Sequence, residues 1–190
     1  ARYGRRPQGM WLPETAVDLE TLDVMAQMGV QFTILAPWQA EGSIDPTEPY
    51  LVQLPHGRQI TSFFYQQELS GAVSFSPDLT VNADRFAQNE LQGRFNPEKT
   101  RRGEAQIVLI ASDGELYGHH QNFRDRFLAR LVDGATSALD LSATYPGRWL
   151  QEHPARQTAQ IRERTSWSCH HGVARWAGEC ECTPGDRTWK

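Results

Sequence analysis

Two carboxylate-bearing segments hold the residues best suited to chemistry in this sequence. Residues 9–14 read GMWLPE and residues 112–120 read SDGELYGHH. Each places a carboxylate, Glu14 or Asp113, beside aromatic side chains at a point where the chain passes between predicted elements. Two carboxylates on separate loops are the minimum equipment for cleaving a glycosidic bond, since one can act as acid and the other as nucleophile or base. Together the two segments predict carbohydrate chemistry.

The residues around each carboxylate predict how it is held. Pro13 has a fixed φ and restricts the residue before it, so the approach to Glu14 is stiff. Asp113 follows an apolar run, and Gly114 allows the backbone to turn sharply behind it. Each carboxylate also has a simpler interpretation, because an acidic residue favours a helix start and an Asp-Gly pair commonly forms a turn.

The elements that must position these loops alternate along the chain. Hydrophobic periodicity predicts helices over 18–28, 79–92 and 122–138, strands over 30–36, 60–65 and 105–111, and an edge strand over 158–164. The near-continuous apolar run 105–111 is typical of a parallel strand covered on both faces. Residues 41–57 are predicted as a long loop and 94–103 as a charged connection. This alternation favours an α/β fold with a mostly parallel sheet or barrel, whose sites gather where strands end.

Composition excludes several classes of partner. The 190 residues are 39% hydrophobic and 22% charged, as in ordinary globular proteins, and the net charge is -4. With no basic tract, we expect no nucleic-acid partner, and with no apolar run of about 20 residues we expect no membrane span. Three cysteines near the carboxyl end and no export signal predict a reduced, cytoplasmic setting. The oligomeric state is not indicated.

Both carboxylate segments resemble conserved regions of glycoside hydrolase family 57. The family's third region has a Trp-Leu-x-Glu pattern, matched by Trp11 to Glu14, and its fourth has an Asp-Gly-Glu-x-x-Gly pattern, matched by Asp113 to Gly118 with His119 following. The closer likeness is to an uncharacterised branch of this superfamily that resembles α-amylase and 4-α-glucanotransferase-like proteins. That branch shares the runs matched here at 9–18 and 165–173.

The resemblance implies a fold and an organisation. Members have a distorted (β/α)7 barrel, so we expect residues 1–143 to form the latter part of such a barrel and residues 144–190 an irregular Trp- and Cys-containing extension. The family's first two conserved regions are absent, and the chain does not begin with Met. We therefore expect a fragment that lacks the first barrel strands.

The resemblance also implies a mechanism. Carried over by motif, Glu14 is the nucleophile and Asp113 the general acid/base of a retaining hydrolase or glucanotransferase that acts on α-linked glucan or a related oligosaccharide. Such double displacement needs no cofactor. The expected partner is an oligo- or polysaccharide substrate.

Other side chains near the motifs are candidates for substrate binding. Trp11, Trp38, Tyr117 and Trp149 could stack on sugar rings or belong to the core. Glu115 could support the site or face solvent. Of His119 and His120, we expect one to hydrogen-bond sugar hydroxyls and the other to be structural.

A cluster near the carboxyl end could ligate a metal. The run Cys169-His170-His171 together with Cys180 and Cys182 has suitable residue types, and the candidate ligands are Cys169, His170, Cys180 and Cys182. Their spacing is not a common zinc pattern. We expect instead a free-thiol loop that docks Trp167 and Trp176, and no metal.

Two alternative functions stay open from the sequence. One is a metal-dependent polysaccharide deacetylase that uses Asp113 with His119 or His120. The other is a carbohydrate-binding or scaffold module that keeps the motifs without the chemistry.

Overall fold

The β-branched and aromatic run after residue 30 forms the edge of a mixed four-stranded sheet. The strands are β1 (Phe32–Leu35), β2 (Tyr50–Gln53), β3 (Gln59–Phe64) and β4 (Gln157–Thr158). Their order is β1-β3-β2-β4, with β3 parallel to β1 and antiparallel to β2, and β4 parallel to β2. The predicted strands over 30–36 and 60–65 are confirmed.

The computed structural model describes residues 3–178, 180 and 182. The chain divides into two compact units. The first comprises Ala1–Asp45, Pro49–Phe64 and Pro154–Lys190, and it contains the whole sheet. The second comprises Pro46–Glu48 and Tyr65–His153. The predicted division into barrel and extension at residue 143 stays a prediction.

Helix α1 (Leu19–Gln27) covers the sheet of the first unit. Asp18 begins it, because its carboxylate accepts a hydrogen bond from the Thr21 N–H at 2.8 Å. Glu163 adds a second cap by accepting from the Leu19 N–H at 2.9 Å. Leu22 and Met25 are buried and pack with strand residues such as Ile60 and Phe64 in one apolar cluster. The helix predicted over 18–28 is confirmed.

Residues after 154 complete the first unit. β4 adds a strand beside β2, Ile161 forms a bridge to Ala40, and Thr165 forms one to Val17. The predicted edge strand over 158–164 is thus only partly present, as β4 and an isolated bridge. The Thr165–Val17 bridge places the chain beyond residue 164 beside the loop that follows Glu14.

The second unit is mainly helical. Its helices are α2 (Gln67–Phe75), α3 (Ala83–Phe86), α4 (Pro97–Arg101), α5 (Arg124–Arg130) and α6 (Pro146–Glu152), and π-helical turns continue α3 over Ala87–Leu91 and α5 over Leu131–Ala135. The core contains the predicted apolar positions of both long helical segments, including Phe86, Leu91, Phe127 and Leu131. Helical spacing also places Leu79 and Phe123 on the apolar faces of these segments, but both side chains are exposed.

The strand predicted over 105–111 is wrong. These residues run without a β-ladder, and their backbone makes single hydrogen bonds to Thr47, Gln66 and the Ser70 hydroxyl. Only Ile107 in this run is buried. A parallel strand needs a neighbouring strand with matching register, and among the described residues none lies beside this segment.

Three other segments form elements that the sequence does not predict. β2 lies within the loop predicted over 41–57, and α4 lies within the connection predicted over 94–103. Helix α4 is anchored by buried Lys99, whose ammonium pairs with Glu48 at 2.7 Å. Residues 67–75, for which the sequence predicts no element, form α2. Within the described part of the chain, no helix has both the length and the apolar character needed to cross a bilayer.

Candidate active site

The loop that carries Glu14 is attached to strand β1 of the first unit. The Met10 N–H donates to the Phe32 carbonyl at 3.1 Å, and the Thr33 hydroxyl donates to the Met10 carbonyl at 2.9 Å. Gly9 is needed for this approach, because a Cβ at that position would lie 2.1 Å from the Phe32 ring. The GMWLPE segment is therefore fixed along the edge of the sheet before it reaches Glu14.

Glu14 sits in a strained turn. Its backbone is left-handed, at φ 55° and ψ 19°, and the next residue, Thr15, has φ 47°. The left-handed conformation costs an L-residue roughly 1–2 kcal/mol. It is especially rare for a β-branched residue such as Thr15. Thr15 is also fully buried, and no described residue bonds to its hydroxyl. Strain of this kind persists only where surrounding contacts enforce it, and it concentrates at functional sites.

The buried Gln39 side chain restrains the Glu14 turn by hydrogen bonding. Its amide N–H donates to the Thr15 carbonyl at 2.8 Å and to the Thr165 hydroxyl at 3.1 Å, and its amide oxygen accepts from the Ala36 N–H at 2.9 Å. One amide thus joins the Glu14 turn, the end of β1 and the chain after residue 164.

The Glu14 carboxylate is held by residues from the carboxyl-terminal segment. The Trp167 indole N–H donates to Glu14 Oε2 at 3.1 Å, and the Trp167 backbone N–H donates to the Glu14 carbonyl at 3.0 Å. The Arg175 guanidinium lies 3.9 Å from the same Oε2. The side chain remains 44% exposed, so the carboxylate is oriented but still accessible.

Two of the predicted aromatic residues lie against the same segment. The Trp11 ring meets the Trp167 ring edge to face at 5.0 Å, and the Trp38 indole N–H donates to the Ser166 carbonyl at 3.4 Å. Trp11 and Trp38 are 40% and 39% exposed, so each offers ring surface to solvent as well as packing. The structure therefore brings Trp11, Trp38 and Glu14 together around residues 166–167.

Asp113 lies in the second unit, at the start of a short turn. Its backbone is extended, and its carbonyl accepts the Leu116 N–H at 3.2 Å as the chain turns through Gly114. Asp113 is exposed, and within the described ranges no residue bonds to its carboxylate. Glu115 is exposed as well, and its carbonyl accepts from the N–H groups of His119 and His120 at 3.2 and 2.8 Å.

Tyr117 and Trp149 line one cleft of about 480 Å³ within the second unit. The Tyr117 hydroxyl is 2.8 Å from the Ser112 hydroxyl. The Trp149 indole N–H is buried, with no hydrogen-bond partner among the described residues. The exposed His119 and His120 rings stack on each other at 4.6 Å, so they face one another rather than a shared point. The cleft is mainly aliphatic, and it includes Ile107 and Phe127 from the core of this unit.

A second cluster of reactive side chains lies in the first unit. The ligand atoms of Cys169, His171, Cys180 and Cys182 all lie within 4.8 Å of one another. The neighbour expected from the sequence, His170, is less central, since its Nδ1 approaches Cys182 at 3.8 Å while His171 approaches all three thiols. A hydrogen bond from the Cys182 backbone lowers the pKa of Cys180 to about 7. Hydrogen bonds with Cys169 and Cys180 raise the pKa of Cys182 to about 11.

Sequence reasoning missed four residues that shape these sites. Trp167 and Arg175 were not assigned to Glu14, although the run 165–173 that contains Trp167 was already singled out. Gln39 carries no motif, so its role follows only from its buried amide. His171 belongs to the predicted cluster but not to the predicted ligand set, because spacing alone cannot show which of two adjacent histidines is the ligand.

Solved structures show what fold this arrangement of strands and helices belongs to. The chain is similar to a 4-α-glucanotransferase from Thermococcus litoralis, with a TM-score of 0.69, 16% identity, and coverage of 87% of this chain and 26% of that one. It is similar to an exo-type maltose-forming amylase from Pyrococcus sp. ST04, with a TM-score of 0.70, 18% identity and coverage of 90% and 32%. It is also similar to a branching enzyme from Thermococcus kodakaraensis, with a TM-score of 0.72 and 16% identity. That match covers 93% of this chain and 45% of the branching enzyme. These likenesses establish a shared α/β fold.

The sequence itself gives the family. The model of glycosyl hydrolase family 57 matches residues 2–159, and the chain belongs to that family. The resemblance drawn from the two carboxylate motifs is thereby confirmed. No curated protein matches the chain. The chain spans 26%, 32% and 45% of the three solved enzymes named above.

Proposed function

We propose that this chain carries both catalytic carboxylates of a retaining enzyme that hydrolyses or transfers α-linked glucan, with Glu14 as nucleophile and Asp113 as general acid/base. The observation that carries the proposal is the Glu14 turn. A glutamate in a left-handed conformation, followed by a buried threonine, is unfavourable for folding. Trp167 and Arg175 nevertheless contact the Glu14 carboxylate, and Gln39 bonds to the turn. A residue whose conformation lowers stability, and which several contacts hold in that conformation, is best explained by a catalytic role.

The contacts of Glu14 suit a nucleophile. Both the Trp167 indole and the Arg175 guanidinium approach Oε2. Oε1 has no such partner among the described residues, so it is the oxygen available to attack an anomeric carbon. Donors at one oxygen fix the direction of the carboxylate, while the accessible side chain admits substrate.

Asp113 would complete a double displacement. In the first step its proton passes to the glycosidic oxygen as that bond breaks, and Glu14 Oε1 forms a bond to the anomeric carbon. In the second step the Asp113 carboxylate takes a proton from water or from a sugar hydroxyl, and the oxygen so activated displaces Glu14. Water as acceptor gives hydrolysis and a sugar as acceptor gives transfer.

The family and the named relatives support an α-glucan substrate. A glucanotransferase, an amylase and a branching enzyme share this fold. The partly exposed rings of Trp11 and Trp38 beside Glu14 offer surfaces on which sugar rings can stack. We assign Tyr117 and Trp149 to the same role from their shared cleft. We assign one of His119 and His120 to hydrogen bonding with sugar hydroxyls. We further propose that the chain forms part of a (β/α)7 barrel in a cytoplasmic enzyme.

The test uses the full-length protein and an aryl α-maltooligosaccharide, whose leaving group needs no protonation. Glu14→Ala should abolish turnover, because no glycosyl ester can form. Added azide should then attack from the vacated face and give a glycosyl azide of inverted configuration. Asp113→Ala should still form the glycosyl-enzyme from this substrate, and azide should resolve that ester with retained configuration.

Asp133→Ala serves as the control, since Asp133 is an exposed carboxylate of the second unit that lies outside both motifs. It should keep most of the activity. Turnover that survives Glu14→Ala without azide would refute the nucleophile assignment. Saccharide binding without turnover in the unmodified protein would favour the binding-module alternative.

No observation favours the deacetylase alternative. Asp113, His119 and His120 do not form a three-ligand group among the described residues, and the two histidine rings stack on each other. A site of that kind needs its ligands aimed at one point.

A further inference from the structure

The geometry points to a structural zinc site formed by Cys169, His171, Cys180 and Cys182. Three thiols and one imidazole are a set of ligands that zinc takes in closed, four-coordinate sites. All four ligand atoms lie within 4.8 Å of one another, so a single ion can reach each of them. This inference does not depend on the proposed catalytic function.

Four of the six distances between ligand atoms lie within about 0.4 Å of those in a tetrahedral zinc site, and the two from Cys182 Sγ to the other sulfurs are no more than 4.8 Å. With Zn–S near 2.3 Å and Zn–N near 2.0–2.1 Å, tetrahedral angles place sulfurs about 3.8 Å apart and sulfur about 3.6 Å from nitrogen. The His171 Nδ1 lies 3.7 Å from Cys169 Sγ and 3.4 Å from the sulfurs of Cys180 and Cys182. Cys169 and Cys180 are 3.4 Å apart, far beyond the roughly 2.05 Å of a disulfide, and all three cysteines are free.

The local backbone preforms half of the site. The Gly172 N–H donates to the Cys169 carbonyl at 2.9 Å, and the Val173 N–H donates to the Arg164 carbonyl at 3.0 Å, so the chain reverses tightly around His171. Gly172 has φ 61°, and a Cβ there would lie 2.0 Å from the Arg164 carbonyl oxygen. Only glycine fits this turn, which presents Cys169 and His171 side by side.

Helix α7 (Ala174–Ala177) then leads to the other pair of ligands. Cys169 and Cys180 are buried, while His171 and Cys182 are exposed. The ion would therefore lie at the surface with two ligands on its inner side. Four protein ligands leave no open position, so the ion would join the chain segments rather than activate water.

The site lies where it can stabilise the support of Glu14. Trp167 precedes Cys169 by two residues, and Arg175 follows His171 on α7. Both contact Glu14 Oε2. A zinc ion at this cluster would fix the loop from which these two side chains project. This last step rests on the proposed function, whereas the metal site does not.

Metal analysis of the reduced, full-length protein purified without chelator tests the inference. We expect about one zinc ion per chain, and we expect the metal-free protein to take up Co²⁺ with the visible absorption of a tetrahedral thiolate site. Adjacent histidines give a matched pair of variants, because both side chains are exposed and neither substitution disturbs a core. His171→Ala should weaken zinc binding by more than about 100-fold in a chelator competition, while His170→Ala should leave it nearly unchanged.

Cys182→Ser provides a second check at an exposed ligand, and it should weaken binding and lower the thiolate-to-cobalt absorption. Three results would overturn the inference: a reduced protein that neither contains nor takes up zinc, equal zinc affinity in both histidine variants, or an iron-containing coloured protein. Because every readout is metal content or affinity, loss of activity in Glu14→Ala and retention of zinc are separate outcomes. Either proposal can therefore fail alone.

Discussion

Replacing Gln39 by leucine should destabilise the first unit strongly, although no core volume is lost. The side chain is fully buried and makes three hydrogen bonds. In Gln39→Leu the Thr15 carbonyl and the Ala36 N–H lose their partners in a buried setting. The Thr165 hydroxyl keeps a bond to the Arg162 carbonyl at 2.9 Å.

Two orphaned backbone groups cost about 1–3 kcal/mol each, and the gain from burying a leucine offsets only part of that. We therefore expect the free energy of unfolding to fall by roughly 1–4 kcal/mol. Urea unfolding, followed by tryptophan fluorescence and far-UV circular dichroism, measures the change. The strained Glu14 turn should loosen at the same time, since Gln39 is its main buried restraint.

Gln59→Leu is the matched control. Gln59 is exposed, and among the described residues its amide bonds only to the exposed Gln53 side chain, at 3.0 Å. The same substitution there should change stability by no more than about 0.5 kcal/mol. If Gln39→Leu costs less than about 1 kcal/mol, or no more than the control, then the buried amide does not hold the turn and the reasoning fails.

Two further predictions concern side-chain contacts of the first unit. Trp167→Phe keeps a ring against Trp11 but removes the donor to Glu14, so kcat should fall about tenfold with little change in KM, as expected for one partly exposed charged hydrogen bond. Trp176→Phe is its control, and equal losses in both would show that ring size matters rather than the indole N–H. Arg58 donates to Asp23 at 2.6 Å and lowers the pKa of that carboxyl, so the pair stabilises the fold above the unfolded pKa near 3.9 and is lost as pH falls through the lower folded value. The stability difference between wild type and Asp23→Asn should thus shrink from pH 6 to pH 3 in urea unfolding, and a difference independent of pH would contradict this assignment.

The sequence predicted best what depends on local periodicity. Helix α1 and strands β1 and β3 follow apolar patterns whose partners lie nearby, and the core positions Phe127 and Leu131 follow from helical spacing alone. The run 105–111 failed because an apolar stretch becomes a strand only when another strand completes the ladder. The seven residues of this run cannot show whether a partner strand lies beside them.

The candidate site shows the same division between local and distant information. The motif marked Glu14 and, by its aromatic neighbours, Trp11 and Trp38. It could not show that the backbone of Glu14 is left-handed, or that Trp167 reaches it across 153 positions of sequence. Such contacts are set by the bridges at residues 161 and 165, which no local rule predicts.

The discontinuity of the first unit sets an order on its folding during synthesis. β1, β2 and β3 emerge early, but β4 and the bridges to Val17 and Ala40 come from beyond residue 154. Residues 65–153 separate the two parts, and at roughly 5–20 residues per second the delay is on the order of ten seconds. Until the later segment arrives, the Gln39 side chain lacks one of its three hydrogen bonds and the Glu14 carboxylate lacks both Trp167 and Arg175. The strained turn must therefore be among the last features of the first unit to form. The Glu14 turn of a nascent chain therefore acquires these contacts only after residue 167 has been translated.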